Sequence, residues 1–253
     1  MAKKTKFRAD DLMVRQNLCP NRSQALALIM AGRVLDQEGR RVDKGGQQLP
    51  EDAVLSLTPG RKFVSRAGHK LSGALSEFSL NPSGFNCLDV GASTGGFTDC
   101  LLQAGAESVT AVDVGRGLID ASLRRDPRVV LIEGLNARAL DSVDPGEVLK
   151  APFDLAVADL SFISLSLVLS QISRLIKETG RILCLVKPQF EVGRRQVGKG
   201  GVIRDTGLIA AAVDKIAAVG PTLPNPLREI SRAFSQLSGK EGNQEVFLLF
   251  APA

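Results

Sequence analysis

The chain has 253 residues, of which 44% are hydrophobic and 23% charged, a length for about two small domains and the composition of an ordinary globular protein. That excludes a disordered chain, a collagen-like repeat and a disulfide-rich mini-protein. The formal charge of +5 is uneven: residues 1–69 carry 13 Lys/Arg against 7 Asp/Glu, 13 − 7 = +6, and residues 70–253 carry 19 against 20, 19 − 20 = −1. A basic surplus confined to the first quarter predicts a polyanion-binding module beside a near-neutral body. Cys19, Cys87, Cys100 and Cys184 are scattered without a CxxC pair, which predicts reduced, buried thiols and argues against a metal site. Lys3, Lys4 and Lys6 are followed by no apolar stretch, so no signal peptide is expected. The longest uncharged run, Leu160 to Ser173, has 14 residues interrupted by serines, too short and polar to span a bilayer. A cytoplasmic protein without membrane association is expected.

Residues 7–58 read as one unit. Leu12, Val14 and Leu18 predict a short helix stopped before Pro20. Asn21 or Ser23 is placed to cap a second helix through Ala25, Leu26, Leu28 and Ile29, which Gly32 ends. Val34-Leu35, turns at Glu38-Gly39 and Gly45-Gly46, and a strand Val54–Leu57 complete the unit. Arg8-Ala9-Asp10, Asn21-Arg22-Ser23-Gln24-Ala25, Ile29, Gly32-Arg33-Val34 and Val42-Asp43-Lys44 resemble the S-four-type RNA-binding domain over about 50 residues, in order. The resemblance implies a small α+β RNA-binding domain at 1–60, with Arg8, Arg15, Arg22, Arg33 and Arg41 on the phosphates, and a linker at 61–65.

From residue 66 to 253 the pattern changes. A helix Ala67–Phe78 is followed by strand Phe85–Val90, a glycine-rich turn, and a helix through Leu101-Leu102. Strands Ser108–Val112, Val129–Ile132 and Asp154–Ala158 come next. A helix Leu165–Lys177, strand Arg181–Val186, helix Thr206–Val219 and a hairpin of Arg228–Phe234 with Gln244–Phe250 finish the chain. Alternating β and α elements predict an α/β, Rossmann-like, mostly parallel sheet carrying a C-terminal antiparallel hairpin.

In Cys87–Thr98 an apolar strand runs through glycines into a helix, the place where a doubly wound sheet binds nucleotides. Asp113 ends the next strand 113 − 91 = 22 residues on, where a carboxylate can hold ribose hydroxyls. A dinucleotide dehydrogenase needs Gly at the third position, but the turn reads Gly91-Ala92-Ser93, and no Gly-Lys-Ser/Thr of a P-loop follows. Asp89-Val-Gly-Ala-Ser-Thr-Gly-Gly-Phe97 instead resembles the AdoMet motif of FtsJ-like ribose methyltransferases. After the fourth strand the chain has Asp159-Leu160-Ser161-Phe162, without the paired prolines of amine methylation, and no cysteine is placed for carbon-5 cytosine chemistry. A hydroxyl acceptor remains, and it needs a proton acceptor with in-line placement. Candidates at strand ends are Lys187, Asp159 and Glu245, with Lys70 on the first helix of the body.

Ser65–Leu71, Asp89–Thr98, Ala158–Leu165, Lys187–Glu191 and Gly242–Glu245 together resemble the TlyA family, S-four-containing ribosomal RNA 2′-O-methyltransferases often labelled hemolysins. The resemblance implies S-adenosyl-L-methionine (AdoMet) as cofactor and ribosomal RNA or ribosomal subunits as partner. It also implies a Lys70-Asp159-Lys187-Glu245 tetrad. In it Lys187 deprotonates or polarises the 2′-OH, Asp159 and Glu245 orient the lysines, and Lys70 positions the ribose or adjacent phosphate. Asp89, Gly91, Ser93, Thr94, Gly95, Gly96, Phe97, Asp113, Asn136 and Asp159 are assigned to the cofactor, and no residue to a metal. Arg66 and the basic, glycine-rich segment Lys187–Arg204, with Arg194 and Arg195, are expected to meet RNA. Two alternatives are an RNA-binding assembly factor with a vestigial transferase fold and a membrane-lytic hemolysin. The intact cofactor loop disfavours the first, and the missing lytic helix the second.

Overall fold

A computed structural model describes residues 5–58, 62–142, 149–193, 196–239 and 241–253. The chain divides into two compact units, Met1–Lys62 and Phe63–Ala253.

In the N-terminal unit, β1 (Lys6–Arg8) leads into α1 (Ala9–Arg15), and α2 (Arg22–Met30) follows. Asp10 and Asp11 in the first turn of α1 and Arg15 in its last complement the helix dipole. The Asn21 side chain accepts from the Gln24 amide and caps α2. Gly32, at φ +65°, ends that helix. Its amide donates to Ile29 O and the Arg33 amide to Leu28 O, the paired bonds of a Schellman cap. β2 (Val34–Leu35), β3 (Gln48–Pro50) and β4 (Ser56–Leu57) are short, and β1 pairs with β3 and β2 with β4, both antiparallel. The expected strand Val54–Leu57 therefore shortens to its last two residues. Val54 is 61% exposed, while Leu55 packs into a core with Leu12, Met13, Ile29, Val34 and Val42.

The second unit opens with α3 (Arg66–Glu77), then β5 (Asn86–Val90), α4 (Gly96–Gln103), β6 (Ser108–Asp113), α5 (Ala121–Arg124), β7 (Val129–Glu133) and β8 (Phe153–Ala158). A 3-10 turn at Leu165–Leu167 leads into α6 (Leu169–Ser173) and β9 (Ile176–Val186). α7 (Pro188–Glu191), α8 (Thr206–Val219), β10 (Leu227–Phe234) and β11 (Val246–Pro252) complete it. The sheet order is β10-β11-β9-β8-β5-β6-β7, with β11 antiparallel to both its neighbours and the other pairs parallel. This is the expected α/β architecture with its C-terminal hairpin.

Strand residues alternate between two cores. Cys87, Val109, Leu155, Leu183 and Phe247 face α3 and α4 through Leu71, Leu75, Phe97 and Leu101. Leu88, Ala156, Ile182, Cys184 and Leu248 face the other side, covered by Leu169, Ile172, Ile209, Val213 and Ile216. The expected helix Leu165–Lys177 is corrected: it stops at Ser173, and Ile176 already pairs with Phe153 in the sheet. The apolar spacing of Leu165, Leu169, Ile172 and Ile176 suits a helix, but Ile176 meets the core from a strand. The register then shifts, so that Leu155 pairs with Arg181. All four cysteines are buried, and burial pushes the Cys87 and Cys184 thiols up to about 12. Among the described residues no helix is long and apolar enough to cross a membrane.

Candidate active site

Parallel pairing brings the carboxyl ends of β5, β6, β8 and β9 to one edge of the sheet. Val90 pairs with Val112 on one side and Ala158 on the other, so Gly91 and Asp159 leave the sheet side by side. Gly91 has φ +88°, and a Cβ there would lie 2.8 Å from the Asp159 carbonyl oxygen. Only glycine permits that approach. A Cβ on Gly96 would lie 2.1 Å from Ser65 Oγ, so the start of α4 packs directly on the start of α3. Asp113 ties the turn between β5 and α4 to the end of β6: its Oδ2 accepts from the Ser93 amide at 2.7 Å and its Oδ1 from the Gly115 amide at 2.6 Å.

The edge encloses a cleft of about 430 Å³ and an adjoining chamber of about 150 Å³. Gly91, Ser93, Asp159 and Ser161 line both; Asp113 and Asn136 line the cleft; Thr94, Gly96, Phe97 and Lys187 line the chamber. Phe97 also stacks on Phe247 with ring centroids 6.2 Å apart, a contact worth about 0.5–1.5 kcal/mol that ties α4 to β11. Two residues assigned to the cofactor stand on neither wall. Gly95 is the N-cap of α4. Asp89 is fully buried, and its Oδ2 accepts from Thr98 Oγ1 at 2.6 Å. Burial, only partly opposed by that bond, pushes its carboxyl up to about 7.

The four expected tetrad residues form two lysine–carboxylate pairs. Lys187 Nζ lies 2.6 Å from Asp159 Oδ1 and donates to Ser161 Oγ at 3.0 Å. Lys70 Nζ donates to Glu245 Oε2 at 2.5 Å. Both lysine side chains are 11% exposed. Sheet register brings the pairs together: Val246 pairs with Val186, so the next position sets Glu245 beside Lys187. Charges this shielded interact strongly, and removing one partner leaves the other uncompensated. Ser161 was not among the expected site residues. The signal for it was the Asp159-x-Ser161 spacing, which puts both side chains on one side of an extended run. Asn243 was also missed: it is buried, its Oδ1 accepts from the Ile203 amide and its Nδ2 donates to Gly201 O, both at 2.8 Å. It thereby anchors the end of the glycine-rich segment two residues from Glu245. His69 is exposed and meets Phe63 edge-on at 5.0 Å, on the residue next to Lys70. Among the described residues no cluster of three or more His, Cys, Asp or Glu is arranged to hold a metal.

The arginines expected on RNA differ in their surroundings. Arg8 grips Asp10 with two hydrogen bonds, of 2.9 and 2.7 Å, and Arg22 reaches Asp10 at 3.2 Å and Asp11 at 3.1 Å. Arg15 lies over the Phe7 ring at 3.9 Å, and Arg33 donates to Thr58 O at 3.1 Å. Arg41 is exposed and 3.8 Å from Asp43; Arg66 is exposed at the first position of α3. Arg194 and Arg195 lie outside the described residues.

Comparisons with known proteins identify the family. Residues 63–251 match the model of the FtsJ-like methyltransferases. The 16S/23S rRNA (cytidine-2'-O)-methyltransferase TlyA of Mycobacterium tuberculosis is 44% identical over 248 residues, covering 95% of this chain and 88% of that protein. Hemolysin A of Brachyspira hyodysenteriae is 36% identical, covering 96% of this chain and 99% of its own. A hemolysin-labelled structure from Streptococcus thermophilus superposes with a TM-score of 0.70 at 35% identity, over 99% of this chain and 90% of that one. Aeropyrum pernix fibrillarin, at 13% identity, TM-score 0.52, and 73% and 76% coverage, shares the fold. With a family model over three quarters of its length and relatives alike from end to end, the chain belongs to the FtsJ-like methyltransferases, in the TlyA family.

Proposed function

We propose that the protein transfers a methyl group from AdoMet to a ribose 2′-hydroxyl of ribosomal RNA. The observation that carries this reading is the pairing of Lys187 with Asp159 on the wall of a chamber that opens from the glycine turn. The residues present suit AdoMet. Gly91 lets the turn close against the Asp159 backbone on the shared wall, Asp113 and Asn136 line the larger cleft for the nucleoside end, and Ser93 and Thr94 border the smaller chamber. When bound, the cofactor supplies a methyl group on a cationic sulfur, so the reaction needs only a placed and polarised hydroxyl.

The protein's own groups supply that placement. Lys187, fixed by Asp159 and Ser161, meets the hydroxyl and aims its lone pair at the methyl carbon; the proton leaving O2′ passes to the Lys187–Asp159 pair. Lys70, held by Glu245, sets the ribose or the adjacent phosphate. The proposed division of the chain is an S-four-type RNA-binding domain at 1–60, a joint at 61–65 and the transferase at 66–253. In that division the arginines of the first part and Arg66, Arg194 and Arg195 of the second bind rRNA phosphates. The relatives named as rRNA (cytidine-2'-O)-methyltransferases support the substrate class. The test is transfer of labelled methyl to unmodified small subunits, large subunits and naked rRNA, followed by mapping. Label on a ribose 2′-oxygen is expected, and no label in any of the three would sink the reading.

A further inference from the structure

Glu191 is a buried carboxylate that the reaction above does not use. Its side chain is 2% exposed, at the end of α7, four residues after Lys187. Its acceptors face across the fold: Oε1 takes the Leu165 amide at 2.9 Å and Oε2 the Ser164 hydroxyl at 2.5 Å. From α8, Lys215 donates to the Glu191 carbonyl at 2.7 Å and stands 4.0 Å from Oε2. Ser164 and Leu165 end the loop that Asp159 begins.

The loop and the Lys187 segment are thus joined in step at three places. Lys187 meets Asp159 and Ser161; the Phe190 ring packs on the Phe162 ring at 5.1 Å; Glu191 takes Ser164 and Leu165. Between the two polar joints, Phe162 is held at φ +66°, a left-handed backbone that a phenylalanine keeps only under restraint. Without the far joint that residue would relax, and the near joint, which carries the Lys187 ammonium, would relax with it.

We propose that Glu191 is a positioning residue for methyl transfer, clamping the Asp159 loop to the Lys187 segment so that Lys187 is held against Asp159 and Ser161. The inference rests on the 2′-O reading above. The role is geometric: an amide in place of the carboxylate keeps an oxygen for the Leu165 amide and an NH₂ group for the Ser164 oxygen.

The test uses the full chain as Glu191→Ala, Glu191→Gln and Ser164→Ala, with steady-state methyl transfer to rRNA and hydrogen exchange of the peptide spanning 159–168. Misplacing a catalytic group by about 1 Å costs on the order of 100-fold. Glu191→Ala should therefore lower kcat by about 10- to 100-fold with KM for AdoMet within about twofold. It should also raise exchange at 159–168 but not in the 86–98 strand and turn. Glu191→Gln should restore kcat to within about threefold, and Ser164→Ala should lose about three- to tenfold, since it removes one of the two bonds. A wild-type kcat in Glu191→Ala would overturn the clamp. So would a Glu191→Gln as defective as the alanine variant, or a rise in exchange spread over the whole sheet. If Glu191→Ala does not fold, a wild-type kcat in Ser164→Ala decides against the clamp equally. Wild-type protein that labels no RNA overturns the reaction instead; the exchange readout is independent of it, and unchanged protection of 159–168 in Glu191→Ala then still rejects the clamp.

Discussion

Asp10 in the N-terminal unit and Asp89 in the body are both fully shielded from solvent, and their surroundings drive them in opposite directions. The hydrogen bond from Arg8, with help from Arg22 and against the burial, holds the Asp10 carboxyl down to about 2. Among the described residues Asp89 has no cation beside it: burial, helped by the Asp159 and Asp113 charges, outweighs the hydrogen bonds from the Thr98 hydroxyl and amide, and its carboxyl rises to about 7. The difference reaches beyond these two groups. In the N-terminal unit acids organise arginines that stay about half exposed, with Arg8 at 43% and Arg22 at 54%. In the body two lysines are drawn in with their acids at one sheet edge. Net charges of 12 − 7 = +5 for residues 1–62 and 20 − 20 = 0 for residues 63–253 therefore misstate what each part presents. Some of the surplus is already neutralised, and the balanced part keeps its functional charge in pairs.

The contrast is broken most severely at Lys187. Lys187→Ala should lower methyl transfer by about 10²- to 10⁴-fold, the range for a lost acid–base group, while calorimetry finds AdoMet binding within a few-fold of wild type. Next comes the second pair. Glu245→Ala strands the Lys70 ammonium in a nearly buried site and should cost about 3 kcal/mol in denaturant unfolding. Adding Lys70→Met should return most of that stability and none of the activity; full recovery of transfer would show that the pair only fills space.

The aspartates sharpen the comparison through pH. Asp10 has a folded-state pKa below its ordinary 3.8, so its contribution is present above about pH 4 and lost as pH falls towards about 2. Asp10→Asn should remove about 1–2 kcal/mol at pH 7, discounted for the solvent around both arginines, seen as faster hydrogen exchange in α1. Asp89 is shifted upward from 3.8, so its contribution is present in acid and lost as pH rises through about 7. Denaturant unfolding between about pH 4 and about pH 7 should show stability falling by at most about 1.4 kcal/mol per unit and levelling off above that, with Asp89→Asn flattening the slope. The smallest effect is expected on RNA affinity. Arg41→Ala and Arg66→Ala should each lower the salt-dependence slope by about 1 and leave AdoMet affinity unchanged. Arg8→Ala, whose guanidinium is already held by Asp10, should change the slope less. Equal slopes for all three would mean that the Asp10 pairing opens on binding.

Much of the body was legible because its pattern is local. An apolar strand running into Gly91, a carboxylate at the end of β6, and polar residues at strand ends are all readable without a partner in view. What was not legible depended on distant partners. β1 and β3 have three residues each, too few to carry a period, and they exist because they pair across the unit. The overrun of the helix past Ser173 has the same origin, since only pairing with Phe153 makes Ile176 a strand residue. Glu191 and Asn243 lie in stretches that carry the family resemblance, but nothing local gives either a role. Their meaning lies in amides, a hydroxyl and a carbonyl 26 to 42 positions away.

The place of β11 in the sheet has a consequence for the order of assembly. It lies between β9 and β10, and it carries in the residue just before it the carboxylate that holds Lys70 from 175 positions away. Until this last strand in chain order has been synthesised, β10 has nothing to pair with, Phe97 lacks its stacking partner and Lys70 lacks its acid. Closing so long a loop is among the slowest steps a small domain takes. A growing chain can thus build the cleft at its sheet edge early, yet its two lysine–carboxylate pairs are complete only when the final strand slides home.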